Sequence, residues 1–155
     1  MNSGAISARR VDHGALRTNM ACTIGLLLMA FIFDAVWLAA FVAVCNLVGA
    51  LAPGLSPFRR LYQHVLQPRG WVKADVIVDN PEPHRFSLGL GGIFVGLGVL
   101  ALLAGSPVVG WGFVWLVIGL ASINLFLRFC VGCFMYYQLN RLGVPGFRYS
   151  PVERS

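Results

Sequence analysis

Two long runs of apolar residues dominate the chain. Residues 18–58 contain one charged side chain, Asp34, and residues 86–127 contain none. A helix that crosses a bilayer needs about 20 apolar residues, so each run is long enough for two such helices. Asp34 interrupts the first run, and the helix-breaking Ala-Gly-Ser-Pro segment at 104–107 interrupts the second. The pattern predicts membrane spans at residues 16–33, 35–51, 86–105 and 108–128.

The two predicted turns are only a few residues long, so the helices on either side of each turn must be antiparallel. The sequence therefore predicts an all-α integral membrane protein with four transmembrane helices in two hairpins. With only 155 residues, the chain has no room for a separate soluble catalytic domain, and residues 1–155 are expected to form a single membrane domain.

An amphipathic helix is predicted between the hairpins, at residues 57–67. Its apolar positions recur at helical spacing and are Phe58, Leu61, Tyr62, Val65 and Leu66. Its polar positions are Arg59, Arg60, Gln63, His64 and Gln67. This pattern indicates a helix on the membrane surface with its two arginines near anionic headgroups, although a plain linker between hairpins is the alternative. The polar segment that follows contains a short β-like run, residues 76–78.

Composition and charge support a membrane protein. Hydrophobic residues make up 57% of the chain and charged residues 12%, against about 25% charged in soluble domains. The net charge is +6, but the basic residues are scattered among the segments that flank the predicted spans, so no nucleic-acid partner is expected. None of the twelve lysines and arginines lies in a predicted hairpin turn. The positive-inside rule then predicts a multi-pass protein of the cell inner membrane with both termini in the cytoplasm.

Small and polar residues within the spans indicate helix packing. Gly92 and Gly96 have the small-xxx-small spacing that lets two helices approach closely, and we expect their partner helix to belong to the same chain. Asn46 and Asn124 lie at membrane depth, where they are expected to hydrogen-bond between helices.

Cys130 and Cys133 form the one motif with specific chemistry. Thiols three residues apart share a helix face, so they can form a disulfide or bind one soft metal ion. The predicted cytoplasmic location is reducing, which favours a cycling dithiol over a permanent disulfide. Arg128 is placed to stabilise a thiolate. A continuous fourth helix would put the pair at its negative end, whereas a break at Gly132 would start a new helix, and both geometries stay open.

Three interpretations of the cysteine pair follow. The first is redox or sulfur-transfer chemistry, and the third is a structural role in which the cysteines only pack. The second is a metal site in which His13, His64 or His84 joins the two cysteines. The favoured expectation is that no metal binds, and a site of Cys130, Cys133, His64 and His84 is the weaker alternative. The sequence identifies no cofactor.

Several short motifs resemble a known family. They are Val11-Asp12-His13, Pro83-His84-Arg85-Phe86, and the Cys130-Val131-Gly132-Cys133 motif with its two following tyrosines. Together they resemble the bacterial domain-of-unknown-function 4395 family of small membrane proteins, over Val11 to Arg141. The resemblance implies the membrane architecture and points to Cys130 and Cys133 as the functional pair, but it implies no substrate.

The functional hypothesis is a dithiol anchored in the lipid bilayer at its cytoplasmic face. Cys130 and Cys133, with Arg128 in support, would exchange electrons or sulfur with a small cytoplasmic thiol or sulfur-carrier protein. The alternative is a non-catalytic accessory or scaffold subunit of a larger membrane complex, in which Gly92, Gly96, Asn46 and Asn124 mediate packing. Whether the protein is an enzyme is left open by the sequence.

Overall fold

The computed structural model describes residues 10–71, 73, 75–78 and 81–145. Arg9, Arg148 and Arg154, which contribute to the predicted charge asymmetry, lie outside these residues. Within them the fold is helical, as predicted. The six α-helices are α1 (His13–Ile32), α2 (Val36–Leu51), α3 (Pro57–Leu61), α4 (Pro81–Leu103), α5 (Pro107–Leu127) and α6 (Val131–Arg141).

Three of the helices are long and apolar enough to cross a membrane, which is consistent with a membrane protein. They are α1, α4 from Glu82 onwards, and α5. Helix α2 is apolar but has 16 residues. At 1.5 Å per residue it extends about 24 Å, which is shorter than the hydrocarbon core of about 30 Å.

Local sequence explains the starts of α1 and α4. The side chain of Asp12 accepts a hydrogen bond from the backbone N–H of Gly14 and caps the start of α1. Helix α4 begins at Pro81, five residues before the predicted start at Phe86. Prolines are tolerated there because the first-turn N–H groups have no partner within a helix.

Four helices pack around one apolar core. Helix α2 contacts α4, α4 contacts α5, α5 contacts α1, and α1 contacts α2, so the four form a closed ring. Each helix contributes at least one fully buried side chain to the centre, and the largest of these are Leu27, Val42, Val95 and Val114. Many apolar residues on the outside of the ring are exposed, as is expected of surfaces that face lipid.

The predicted packing residues behave differently from one another. A Cβ atom at Gly92 would lie 2.9 Å from Cγ of Leu47 in α2, so the expected close approach within the chain is confirmed there. A Cβ atom at Gly96, in contrast, would have no neighbouring atom within 4 Å, so no close helix approach is observed there. The hydroxyl of Thr23 donates to Oδ1 of Asn46 over 3.4 Å, which confirms an interhelical bond for this asparagine.

One end of the ring carries additional structure. Strand β1 (Arg10–Asp12) pairs antiparallel with β2 (Val76–Val78), so the predicted β-like run finds its partner just before α1. The amphipathic segment forms α3 followed by a π-helical turn over Tyr62–Leu66. Phe58 and Tyr62 are buried, and its predicted polar positions are exposed, so the predicted amphipathicity is confirmed except that Leu61 is also exposed.

Candidate functional site

The chain breaks between α5 and α6, immediately before the cysteine pair. Helix α5 ends at Leu127, and Arg128 adopts the left-handed conformation with φ 54° and ψ 25°. Cys130 is extended and occupies the N-cap position of α6. The break therefore precedes both cysteines and does not lie at Gly132. The pair opens a new helix at its positive end, which settles the geometry that the sequence left open.

The two cysteines are joined by a disulfide and differ in accessibility. Their Cα atoms are 5.1 Å apart. Cys130 is partly exposed, whereas Cys133 is buried with 7% of its surface accessible. The backbone N–H of Cys133 donates to Sγ of Cys130 over 3.2 Å. A thiolate at Cys130 would therefore be both reachable from outside and stabilised by the start of the helix.

His84 lies beside the buried cysteine. Its Nδ1 atom is 3.4 Å from Sγ of Cys133, although the two residues are 49 positions apart in the chain. The ligand atoms of His84, Cys130 and Cys133, which we call the Cys–His group, all lie within 4.8 Å of one another. His84 is in the first turn of α4, so the contact depends on packing between α4 and α6.

The other two histidines of the sequence prediction have different positions. The ring of His13 meets the ring of His84 edge to face, with centroids 5.5 Å apart. His64 is exposed on the outer side of the π-helical turn and does not belong to the Cys–His group found among the described residues. Arg128 is exposed at the helix break, and its stabilisation of a thiolate remains a prediction.

Gly132 allows α6 to lie close to α4. A Cβ atom at this glycine would be 2.6 Å from Cβ and 2.8 Å from Cα of Ser87. Real Cβ atoms do not approach backbone this closely, so any larger residue would push the helices apart. The glycine between the cysteines thus fixes the distance between Cys133 and His84. The sequence predicts a helix break at Gly132. Its contact with Ser87 could not be predicted, because the two residues are far apart in the chain.

Two polar contacts fix the helix starts that carry the histidines. Arg85 donates from Nε to the carbonyl of Ala50 over 2.8 Å and from Nη2 to that of Leu51 over 3.1 Å, which ties α4 to the end of α2. The backbone N–H of His13 donates to the carbonyl of Asp75 over 2.8 Å. Both histidines are thereby held at the same end of the ring.

Tyr62 belongs to a polar cluster at the start of α1 that also contains Asp12, Arg17 and Asp75. The tyrosine is fully buried and packs against Gly14, where a Cβ would lie 2.8 Å from its hydroxyl. Burial, and then the neighbouring Asp12 and Asp75 carboxylates, raise the pKa of the Tyr62 hydroxyl. Arg17 pairs with Asp75 at 3.6 Å across a half-exposed surface. This cluster secures the amphipathic segment to α1 beside His13.

A cavity of about 230 Å³ lies within the ring, behind the first turn of α6. Its lining is apolar apart from a few neutral polar side chains, which include Asn46, Asn124 and Ser87. The predicted interhelical hydrogen bond of Asn124 remains a prediction. Val131 and Gly132 of the cysteine motif line the cavity, whereas Cys130, Cys133 and His84 do not.

Known proteins give one point of comparison. Neither the curated proteins nor the solved structures yielded a match to this chain. The profile of the domain of unknown function DUF4395 matches residues 11–141, which include α1 to α6 and the whole Cys–His group. The match covers most of the chain and agrees with the resemblance noted in its motifs. The chain therefore belongs to the DUF4395 family, a domain of unknown function.

Proposed function

We propose that the protein is a membrane-anchored dithiol that exchanges electrons or sulfur with a small cytoplasmic thiol or sulfur-carrier protein. One observation carries the proposal: Cys130 caps the start of α6 in an accessible position, and its partner Cys133 is buried behind it. This is the arrangement in which one cysteine attacks a substrate and the second one releases it.

The reaction needs only the two thiols and a substrate disulfide. The Cys130 thiolate attacks one substrate sulfur, and the other substrate sulfur leaves as a thiolate and takes up a proton. Cys133 then loses its proton and attacks the sulfur of Cys130, which releases the second substrate thiol. The substrate gains two electrons and two protons, and the Cys130–Cys133 disulfide forms. The reverse sequence oxidises a substrate dithiol.

His84 has a defined part in the second step. Its Nδ1 atom is 3.4 Å from the sulfur of Cys133, within reach of the proton that this thiol must lose. The imidazole can accept that proton when Nδ1 is unprotonated.

The proposed setting is an inner membrane that the chain crosses four times, with the thiol site and both termini on the cytoplasmic side. Three helices of sufficient length and a closed ring of four helices support this setting. Charge supports it as well, because Arg17, Arg85 and Arg128 lie at the end of the ring that holds the cysteines. The turns at the opposite end contain no lysine or arginine.

Trapping with glutathione disulfide tests the proposed order of attack. In Cys133→Ser the partly exposed Cys130 should form a stable mixed disulfide, because the second thiol that would release glutathione is missing. In Cys130→Ser the buried Cys133 should react at least about tenfold more slowly. Intact-mass spectrometry of the folded protein in detergent measures both rates.

Cys22→Ser is the matched control, since it removes a thiol within α1 and leaves the pair intact. The reduced form of this variant should react with glutathione disulfide, and form the Cys130–Cys133 disulfide, at the same rate as the unmodified protein. Equal trapping rates in the two pair variants would contradict the proposal. Reaction of Cys130 only after denaturation would contradict it as well.

A further inference from the structure

We propose that the reduced Cys130–Cys133 pair and His84 bind one Zn²⁺ ion, and that formation of the disulfide releases it. The release step rests on the proposed dithiol function, whereas binding of the ion rests on the geometry of the three side chains. The site is therefore a metal site whose occupancy depends on the oxidation state of the cysteines.

The distances suit a tetrahedral zinc ion. Zinc binds cysteine sulfur at about 2.3 Å and histidine nitrogen at about 2.0–2.1 Å, so neighbouring S and N ligands lie about 3.6 Å apart. The observed distance from Cys133 Sγ to His84 Nδ1 is 3.4 Å. All three ligand atoms lie within 4.8 Å of one another. After reduction of the disulfide, the two sulfurs must separate to about 3.8 Å, the spacing of two sulfur ligands on a tetrahedral zinc ion.

The ligands are held by well-packed structural elements. Cys130 caps α6, Cys133 lies in its first turn, and His84 lies in the first turn of α4. Contact between Gly132 and Ser87 sets the spacing of the two helices. The backbone N–H of Cys133 points at the sulfur of Cys130, where it would stabilise a zinc-bound thiolate.

Three protein ligands leave one tetrahedral position for a further donor. Zinc sites that act in chemistry keep such a position for water or substrate, whereas purely structural sites are closed by four protein ligands. Cys130 is partly exposed, so the thiolate of an incoming partner can reach the ion. The ring of His13, edge to face with His84, restrains the orientation of the histidine ligand.

The redox step has a simple balance. When zinc binds, the two thiols release two protons to solvent and two zinc–sulfur bonds form. When a partner disulfide oxidises the site, the sulfurs of Cys130 and Cys133 join and two electrons pass to the partner. The partner takes up two protons and leaves as two thiols. The disulfide offers no thiolate, so Zn²⁺ also leaves His84 and is hydrated.

Cobalt substitution tests the site directly. The full-length protein, purified in detergent and reduced with a phosphine, should bind one Co²⁺ ion. The complex should show sulfur-to-cobalt charge transfer and the intense visible bands of tetrahedral cobalt, and Zn²⁺ should displace the ion. The oxidised protein should bind no Co²⁺. His84→Ala should weaken binding at least about tenfold, whereas His64→Ala, which alters an exposed histidine outside the group, should leave it unchanged.

Absence of the sulfur-to-cobalt band from the reduced protein would overturn the inference, as would equal affinities of the two histidine variants. The comparison of reduced with oxidised protein is independent of how any variant folds. Reaction with glutathione disulfide, measured on the same samples, separates the two proposals. Exchange without metal binding would overturn the zinc site alone. Metal binding without exchange would support the site and overturn the dithiol function.

Discussion

Gly132 has a structural role that its position within the cysteine motif does not reveal. It lies in the first turn of α6, where a side chain would collide with the backbone of Ser87 in α4. The same contact positions Cys133 against His84. The small residue between the cysteines therefore determines the geometry of the site, and neither cysteine would reach His84 in the same way without it.

Replacement of this glycine by alanine should separate α6 from α4. We expect Gly132→Ala to destabilise the protein by about 1–3 kcal/mol, the usual cost of overpacking, and to weaken Co²⁺ binding. Thermal unfolding in detergent measures the first effect, and the cobalt spectrum measures the second.

Gly119→Ala is the matched control for this substitution. Gly119 is an exposed helical residue in α5 with no atom within 4 Å of a Cβ position. Alanine there should be neutral or slightly stabilising, because it favours a helix over glycine. Similar unfolding temperatures for the two variants would show that the contact with Ser87 does not constrain α6.

At the scale of elements, the apolar pattern predicted the helices better than the contacts between them. The runs around Asp34 and the 104–107 turn led directly to α1, α2, α4 and α5. The break before Cys130 was not predicted at its true position because Arg128 is neither glycine nor proline, and a positive φ is uncommon in such a residue. The sequence named His84 as one of three histidines that could join the cysteine pair, but it could not select His84, because the contact with Cys133 joins residues 49 positions apart.

The amphipathic segment is attached to the ring through Tyr62. The tyrosine is fully buried beside Gly14, and its environment raises the pKa of its hydroxyl. A group with a higher pKa in the folded state stabilises the protein fully below its unfolded pKa, which is about 10 for tyrosine. That contribution is then lost as the pH rises through the folded pKa.

Stability should therefore fall more steeply above about pH 10 in the unmodified protein than in Tyr62→Phe, which cannot ionise at this position. The free energy of unfolding, measured in detergent from neutral to alkaline pH, tests this expectation. Subtracting the free energy of unfolding of Tyr62→Phe from that of the unmodified protein removes the contribution of other groups that titrate at alkaline pH. Parallel curves would show that Tyr62 is not held in the buried environment observed.

At the scale of the whole molecule, the chemistry is concentrated at one end of the helix ring. The cysteine pair, His84, His13, the short β-ribbon and the amphipathic segment all lie at the end where α1 and α4 begin. At the opposite end, Phe31 packs edge to face on Trp111 and Trp115. We propose that the first of these ends lies in the cytoplasm, where soluble thiol partners and reducing conditions are found.

Labelling of Cys130 with a membrane-impermeant maleimide tests this account most directly. After treatment with a permeant reductant, intact bacterial cells and inside-out vesicles that contain the protein would be labelled without denaturant, and the modified peptide would be identified by mass spectrometry. We expect rapid labelling of Cys130 in inside-out vesicles, much slower labelling of Cys133, and no labelling of Cys130 in intact cells. Labelling of Cys130 in intact cells, or only after denaturation, would contradict it.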